Sequence, residues 1–212
     1  MKRGFDQIRE FVEREIVPRY DLFDAGHGRD HVLTVISQAL QLAEHYPEVD
    51  RCMLLVAAAY HDLGLAFGRE KHHIHSAAIV REDDRLRQWF DDDEIDIMAD
   101  AAQDHRASSD HEPRTIYGRI VAEADRIIDS EIIVRRALQY GMSHYPGLGR
   151  DEQYARLKQH MHEKYAAGGY LHLWVPHGDN ARRLEEFRRT LADEQAFRAL
   201  FDRVYQAINS SL

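Results

Sequence analysis

An all-α fold is what this 212-residue sequence predicts, and three observations predict it. Apolar residues recur at helical spacing through most of the chain. The alternating β-branched and aromatic runs that mark strands are almost absent. Met53 to Tyr60, Met-Leu-Leu-Val-Ala-Ala-Ala-Tyr, is apolar without interruption, so a helix there is apolar on every side and belongs inside the molecule. It is far too short to cross a bilayer. The expectation is a bundle of about eight to ten helices.

Taken in order, residues 3 to 17 carry Phe5, Ile8, Phe11, Val12 and Ile16 at helical spacing, and Pro18 follows. The stretch from Phe23 to His31, rich in glycine, reads as a turn into a second helix. There Val32, Val35, Ile36, Ala39, Leu40 and Ala43 form a clean stripe that Pro47 ends. The buried helix comes next, with Gly64 as its stop signal. After Gly68 the stretch Arg-Glu-Lys-His-His-Ile-His-Ser-Ala-Ala reads as the start of a helix running to about Phe90. Asp91 to Asp93 read as an acidic helix start, favourable to the helix dipole. Ile95, Met98, Ala102 and His105 then share one face of that helix. A polar loop, Arg106 to Pro113, leads into a helix from about Thr115 to Asp129 with Ile120, Val121, Ala124, Ile127 and Ile128 on one side. Pro146, Gly147 and Gly149 mark a longer loop. Residues 151 to 167 make a polar helix, Leu171 to Val175 a short extended segment, and two helices close the chain at about 177–192 and 194–208. Tyr170 and Trp174 are expected in the core.

Composition bounds the function. At roughly 100–200 residues per domain the chain is one large or two small domains. No linker composition divides it, so a single domain over 1–212 is expected, with its core at about 20–130 and helices 131–212 packed on it. Charged residues at 31% and hydrophobic ones at 44% are the balance of a globular protein. A net charge of −9 argues against an extended nucleic-acid surface or anionic membranes, while leaving room for a local basic pocket. The single cysteine, Cys52, allows no disulfide within the chain and fits a reducing cytoplasm. The first residues lead into an amphipathic stretch rather than a signal peptide. A homodimer is left open.

The chemistry centres on the end of the buried helix, where His61 and Asp62 stand side by side. An ionised carboxylate at such a point needs a cation or hydrogen-bond donors. A metal ion is one answer, and a capping Asp beside a hydrogen-bonded core His is the other. The chain has 14 histidines, so one such pair alone favours the second answer slightly. A divalent metal needs several N/O ligands from different elements. The inward candidates in chain order are His31, His61, Asp62, His72 or His73, His105 and Asp125. Periodicity does not separate Asp125 from Glu123, which flanks the same apolar stripe. His27, four residues before His31, reads as a rim residue, and Asp110-His111 as a surface or rim pair. There is no Ser-His-Asp or Cys-His arrangement, no phosphate-cradling Gly loop and no Cys pair for structural zinc.

The order His … His-Asp … Asp, with the pair closing an Ala-rich helix, resembles the HD-domain metal-dependent phosphohydrolase superfamily. The matching stretches are Gly28-Arg-Asp-His31-Val-Leu-Thr-Val, Ala58-Ala-Tyr-His61-Asp62-Leu-Gly and Ile120-Val-Ala-Glu-Ala-Asp125-Arg126. His72-His-Ile-His-Ser-Ala and Asp104-His105-Arg106-Ala-Ser108-Ser are similar to the extra-histidine segments of members with two metals. The resemblance covers about residues 20 to 130. It implies that His31, His61, Asp62 and Asp125 hold one metal, and that Asp62 bridges to a second held by His72 and His105. The spacing to Ser76 favours His72 over His73 by the same analogy. Manganese or iron, most simply two ions, fits such an N/O site. Asp62 and Arg106 would be the catalytic residues. Arg106, Lys71 and Arg126 would bind the phosphate of a nucleotide or small phosphorylated metabolite. Two other functions fit the same residues: a mixed-valence di-iron oxygenase, and a non-catalytic nucleotide-binding regulatory module.

Overall fold

The structure, a computed structural model, describes residues 4–24, 26–109, 111–126 and 128–210. Arg3, Asp110 and Ile127, on which sequence expectations fell, lie outside these residues. Among the described residues there are ten α-helices and no strand. They are α1 (Phe5–Phe11), α2 (Arg29–Leu42), α3 (Arg51–Tyr60), α4 (His72–Glu82), α5 (Asp92–Asp104), α6 (Ile116–Ala124), α7 (Ser130–His144), α8 (Arg150–Tyr165), α9 (Asn180–Ala192) and α10 (Glu194–Asn209). Contacts sort them into two compact units. One comprises Met1–Arg126 with Trp174–His177, the other Ile127–Leu173 with Gly178–Leu212.

In the first unit α3 is the central element. Asp50 caps it by accepting from the amides of Cys52 and Met53, and every residue from Cys52 to Tyr60 is buried. Fully burying one Leu or Val of this run contributes about 1.5–3 kcal/mol, enough to outweigh the modest helix propensity of Val and Tyr. α2, α4, α5 and α6 pack around it with Val32, Val35, Val80, Ile95, Met98, Ile120 and Val121 turned inward. Asp91 caps α5 in a capping box with Glu94, as the acidic run suggests. Trp174–His177 returns to this unit, where the Trp174 amide donates to Glu123 Oε2 at 3.0 Å and Val175 enters the core.

Several boundaries differ from the sequence expectation. The first helix is α-helical only to Phe11, then passes through a π-helical turn (Val12–Ile16) into a 3-10 turn (Val17–Leu22). Pro18 has no N–H to give and its ring crowds the carbonyl of Arg14, so the regular ladder does not carry through. The helix expected to reach Phe90 stops at Glu82, where Asp83 instead caps a 3-10 turn over Asp84–Gln88. The helix expected to reach Asp129 ends at Ala124, and Ile128 lies outside it.

The second unit holds α7 to α10, and the sequence reading did not assign α7. Leu157, Met161, Leu184, Phe187, Phe197 and Phe201 are buried there. Tyr154 stacks edge-on against Phe201 and bonds Glu194 at 2.7 Å. Tyr170, expected in the core, is 43% exposed. It follows Gly168 and Gly169 at the end of α8, and Leu171 rather than Tyr170 turns inward.

Candidate metal centre

The centre is built from helix ends within the first unit. His31 lies in the first turn of α2, His61 and Asp62 follow the last residue of α3, and His72 opens α4. His105 and Asp125 directly follow α5 and α6. The side chains of His31, His61, Asp62 and His105 are no more than 5% exposed, that of His72 11% and that of Asp125 27%. All six sequence-derived candidates therefore come together, and His73 does not join them.

Asp62 sits between two groups of imidazoles. Its Oδ2 is 3.3 Å from His61 Nε2 and 3.6 Å from His31 Nε2. Its Oδ1 is 3.4 Å from both His72 Nε2 and His105 Nε2. Asp125 Oδ1 lies 3.1 Å from His31 Nε2 and 3.7 Å from His61 Nε2. The question between Asp125 and Glu123 is thereby answered in space: Glu123 is buried and accepts from the Trp174 amide, away from these rings. Two triads have the spacing to hold a metal ion, His31–His61–Asp62 and Asp62–His72–His105.

Hydrogen bonding fixes which ring nitrogen faces inward. His61 Nδ1 contacts the Ala58 carbonyl at 2.8 Å, His72 Nδ1 that of Arg69 at 2.7 Å, and His105 Nδ1 that of Ala102 at 2.6 Å. A carbonyl oxygen only accepts, so each Nδ1 donates, and in a neutral ring Nε2 presents a lone pair. His72 Nε2 and His105 Nε2 then face each other at 3.1 Å. With Asp62 Oδ1 beside both, three lone pairs converge, an arrangement that calls for a cation. Among the described residues, His61 Nε2 and both ring nitrogens of His31 are buried and make no well-aligned hydrogen bond, although carboxylate oxygens stand 3.3 Å and 3.1 Å from the two Nε2 atoms. Buried polar atoms are rarely left so. The donor set is imidazole and carboxylate, which suits a divalent transition metal, and Cys52 sits at the opposite end of α3. The residues fit such an ion.

Electrostatics divides the two triads. Burial opposes a charge on His31 and His61, yet Asp125 and Asp62 raise both above the ordinary imidazole value, His61 well above it. Burial likewise opposes ionisation of Asp62 and Asp125, and the surrounding histidines nevertheless hold both well below the ordinary carboxylate range. His72 goes the other way: burial and the neighbouring His105 push it down to about 4.

The remaining predicted residues stand around this cluster. Arg106 donates from Nη1 to the Glu70 carbonyl at 2.8 Å, tying the segment after α5 to the approach of α4. Lys71, at the start of α4, is exposed. Arg126 is 7% exposed, and its Nε and Nη1 have no hydrogen-bond partner among the described residues. His27 contacts Asp24 Oδ1 at 2.9 Å, and its ring lies 5.9 Å from that of His31.

Three supports escaped the sequence reading. Asp104, just before His105, is buried and bound by the backbone amide and guanidinium of Arg114. Gly64 places its amide on Ser76 Oγ at 2.9 Å, so close to α4 that a Cβ would fall 2.0 Å from the His72 carbonyl oxygen. Tyr20 reaches the end of α3 from the 3-10 turn. The glycine had a visible signal, read only as a helix stop. The tyrosine and the aspartate had none.

Residues 28–128 match the family model described as HD domain. A crystal structure of a predicted HD superfamily hydrolase from an uncultured Thermotogales bacterium superposes with a TM-score of 0.54 at 20% identity, covering 92% of each chain. Nothing matches among curated proteins.

Proposed function

We propose that the protein is a metal-dependent phosphohydrolase of the HD-domain kind, acting on a nucleotide or small phosphorylated metabolite; the match of residues 28–128 to the HD domain family model supports this reading. The observation that carries this reading is the meeting of His72 Nε2, His105 Nε2 and Asp62 Oδ1 within 3.4 Å of one another, lone pair toward lone pair. The family-model match over residues 28–128 supports hydrolysis, and the fold shared with a predicted HD superfamily hydrolase agrees with it.

In this reading His31, His61, Asp62 and Asp125 hold one ion and Asp62, His72 and His105 a second, manganese or iron. Bound there, such ions supply Lewis acidity, lowering the pKa of water and neutralising phosphoryl charge. The chain does the rest. Asp62 offers one oxygen to each triad and so sets their separation. The carbonyls of Ala58, Arg69 and Ala102 hold three rings in one tautomer. Arg106, anchored through Nη1 to the Glu70 carbonyl, would offer further N–H groups to phosphoryl oxygens, a geometry that guanidinium serves well. Lys71 adds charge at the rim and Arg126 behind Asp125.

The test is elemental analysis of the purified protein, then a phosphatase, pyrophosphatase and phosphodiesterase screen with added manganese. Asp62→Ala is expected to lose both metal and turnover; full metal content with unchanged activity in that variant defeats the assignment. Oxygen consumption by an iron-loaded sample that cleaves no phosphate ester would favour the oxygenase instead.

A further inference from the structure

Tyr20 lies outside the segment that matches the family model, on the 3-10 turn Val17–Leu22, and is fully buried. Its hydroxyl donates to the Ala59 carbonyl at 2.8 Å and accepts from the Asp62 amide at 3.3 Å. Its ring packs edge-on against Phe23 and lies 6.5 Å from the His61 ring.

These two bonds occupy the groups that a continuing α-helix would use. Helical pairing sends the amide of residue i to the carbonyl of i−4, which would be Ala58 for Asp62, and would give the Ala59 carbonyl the amide of Leu63. The Ala58 carbonyl instead receives His61 Nδ1, while the phenol serves Asp62 and Ala59. One side chain from elsewhere in the chain therefore caps α3 at the point where it delivers two neighbouring ligands. A buried phenol needs partners for its O–H, and here both partners are backbone groups of that one turn.

We propose that Tyr20 is the positioning residue of the metal centre, its phenol fixing the backbone of the His61–Asp62 turn so that both Asp62 oxygens face the imidazoles. Without the hydroxyl, the Asp62 amide is left to compete with His61 Nδ1 for the Ala58 carbonyl, which loosens ring and carboxylate together. The metal-binding part of this proposal rests on the reading given under Proposed function, while the capping part does not.

Tyr20→Phe keeps the ring packing and removes only the hydroxyl. In chelator-treated, 15N-labelled protein, hydrogen exchange at the Asp62 amide is expected to quicken at least about tenfold, with the amides of α2 unchanged. Cobalt(II) titrated into the same protein is expected to bind about 10–100-fold more weakly, the usual effect of removing an outer-shell partner, with an altered visible spectrum. Tyr154→Phe, which removes a phenol bonded to Glu194 in the other unit, serves as a control expected to leave the spectrum as it is. Unchanged exchange at Asp62 overturns the cap. Faster exchange with cobalt affinity and spectrum like those of the natural protein overturns the positioning role. A natural protein that binds no cobalt sinks the metal-centre reading and the positioning role with it, and the exchange experiment still decides the cap.

Discussion

Gly64→Ala tests how the two halves of the centre are held together. An ideal Cβ at Gly64 falls 2.0 Å from the His72 carbonyl oxygen, 2.6 Å from the Ser76 amide nitrogen and 2.9 Å from the His72 carbonyl carbon. All three are backbone atoms of α4, so no side-chain rotation relieves the clash. Ordinary contact begins near 3.4 Å, and α4 must retreat by about 1.4 Å, or the turn carrying Asp62 must move by as much, to restore it. Overpacking of this kind costs about 1–3 kcal/mol, a fall of about 2–12 °C in the melting temperature of a chain this size. The retreat also draws His72, now 3.4 Å from Asp62, away from the shared carboxylate. His31, His61 and Asp125 do not depend on α4. The expected outcome is a less stable chelated protein that keeps one ion and loses the other, measured by thermal unfolding and metal stoichiometry. A variant that melts within about 1 °C of the parent and binds the same number of ions refutes the argument.

Further consequences follow from the same contacts. Because Asp62 and Asp125 raise the pKa of His31 and His61, an ion entering that triad must displace protons. Its affinity should climb with pH and level off only above those raised values, with proton release visible by calorimetry in buffers of different ionisation enthalpy; His72, pushed down to about 4, contributes no such slope near neutral pH. Asp83 is depressed because hydrogen bonds from Arg85 and Tyr60 outweigh the effect of burial. A lowered carboxylate stabilises above its unfolded pKa and ceases to as pH falls through its folded one, so the urea-midpoint gap between the parent and Asp83→Asn should narrow from pH 7 to pH 3; a constant gap counts against it. Arg114→Ala strands the buried Asp104 carboxylate. A loss of about 2–3 kcal/mol is expected, below the ~3–5 kcal/mol of a fully buried pair because the guanidinium is 40% exposed. Urea unfolding reads it, and a change under about 0.5 kcal/mol contradicts it.

The sequence disclosed the ligand-bearing residues better than it disclosed what aims them. His31, His61, Asp62 and His105 sit at the ends of strongly periodic helices, so periodicity alone brings them near the core. Asp125 did not separate from Glu123 by pattern, because the difference lies in Trp174, some fifty positions away, whose amide takes the Glu123 carboxylate. Tyr20 falls just beyond the first predicted helix and carries no sequence signal. Its partners are main-chain groups 39 and 42 residues on, and no local pattern records such a pairing. The helix end misread at Glu82 reflects capping by Asp83, whose short polar side chain competes with the backbone ladder, and the one at Ala124 a backbone turn in which the Arg126 amide bonds the Glu123 carbonyl.

Three of the four imidazoles take their bearing from a carbonyl three positions upstream in their own segment. Direction in this centre is thus encoded over four-residue spans, while distance is left to the packing of whole helices. A single inserted residue between Ala58 and His61, between Arg69 and His72, or between Ala102 and His105 would swing a ring out of line. Lengthening the stretch after Arg106 would leave every ring pointing where it does now. An engineer wishing to reshape the entrance can therefore graft into the stretch after Arg106 and must leave each of these short spans untouched.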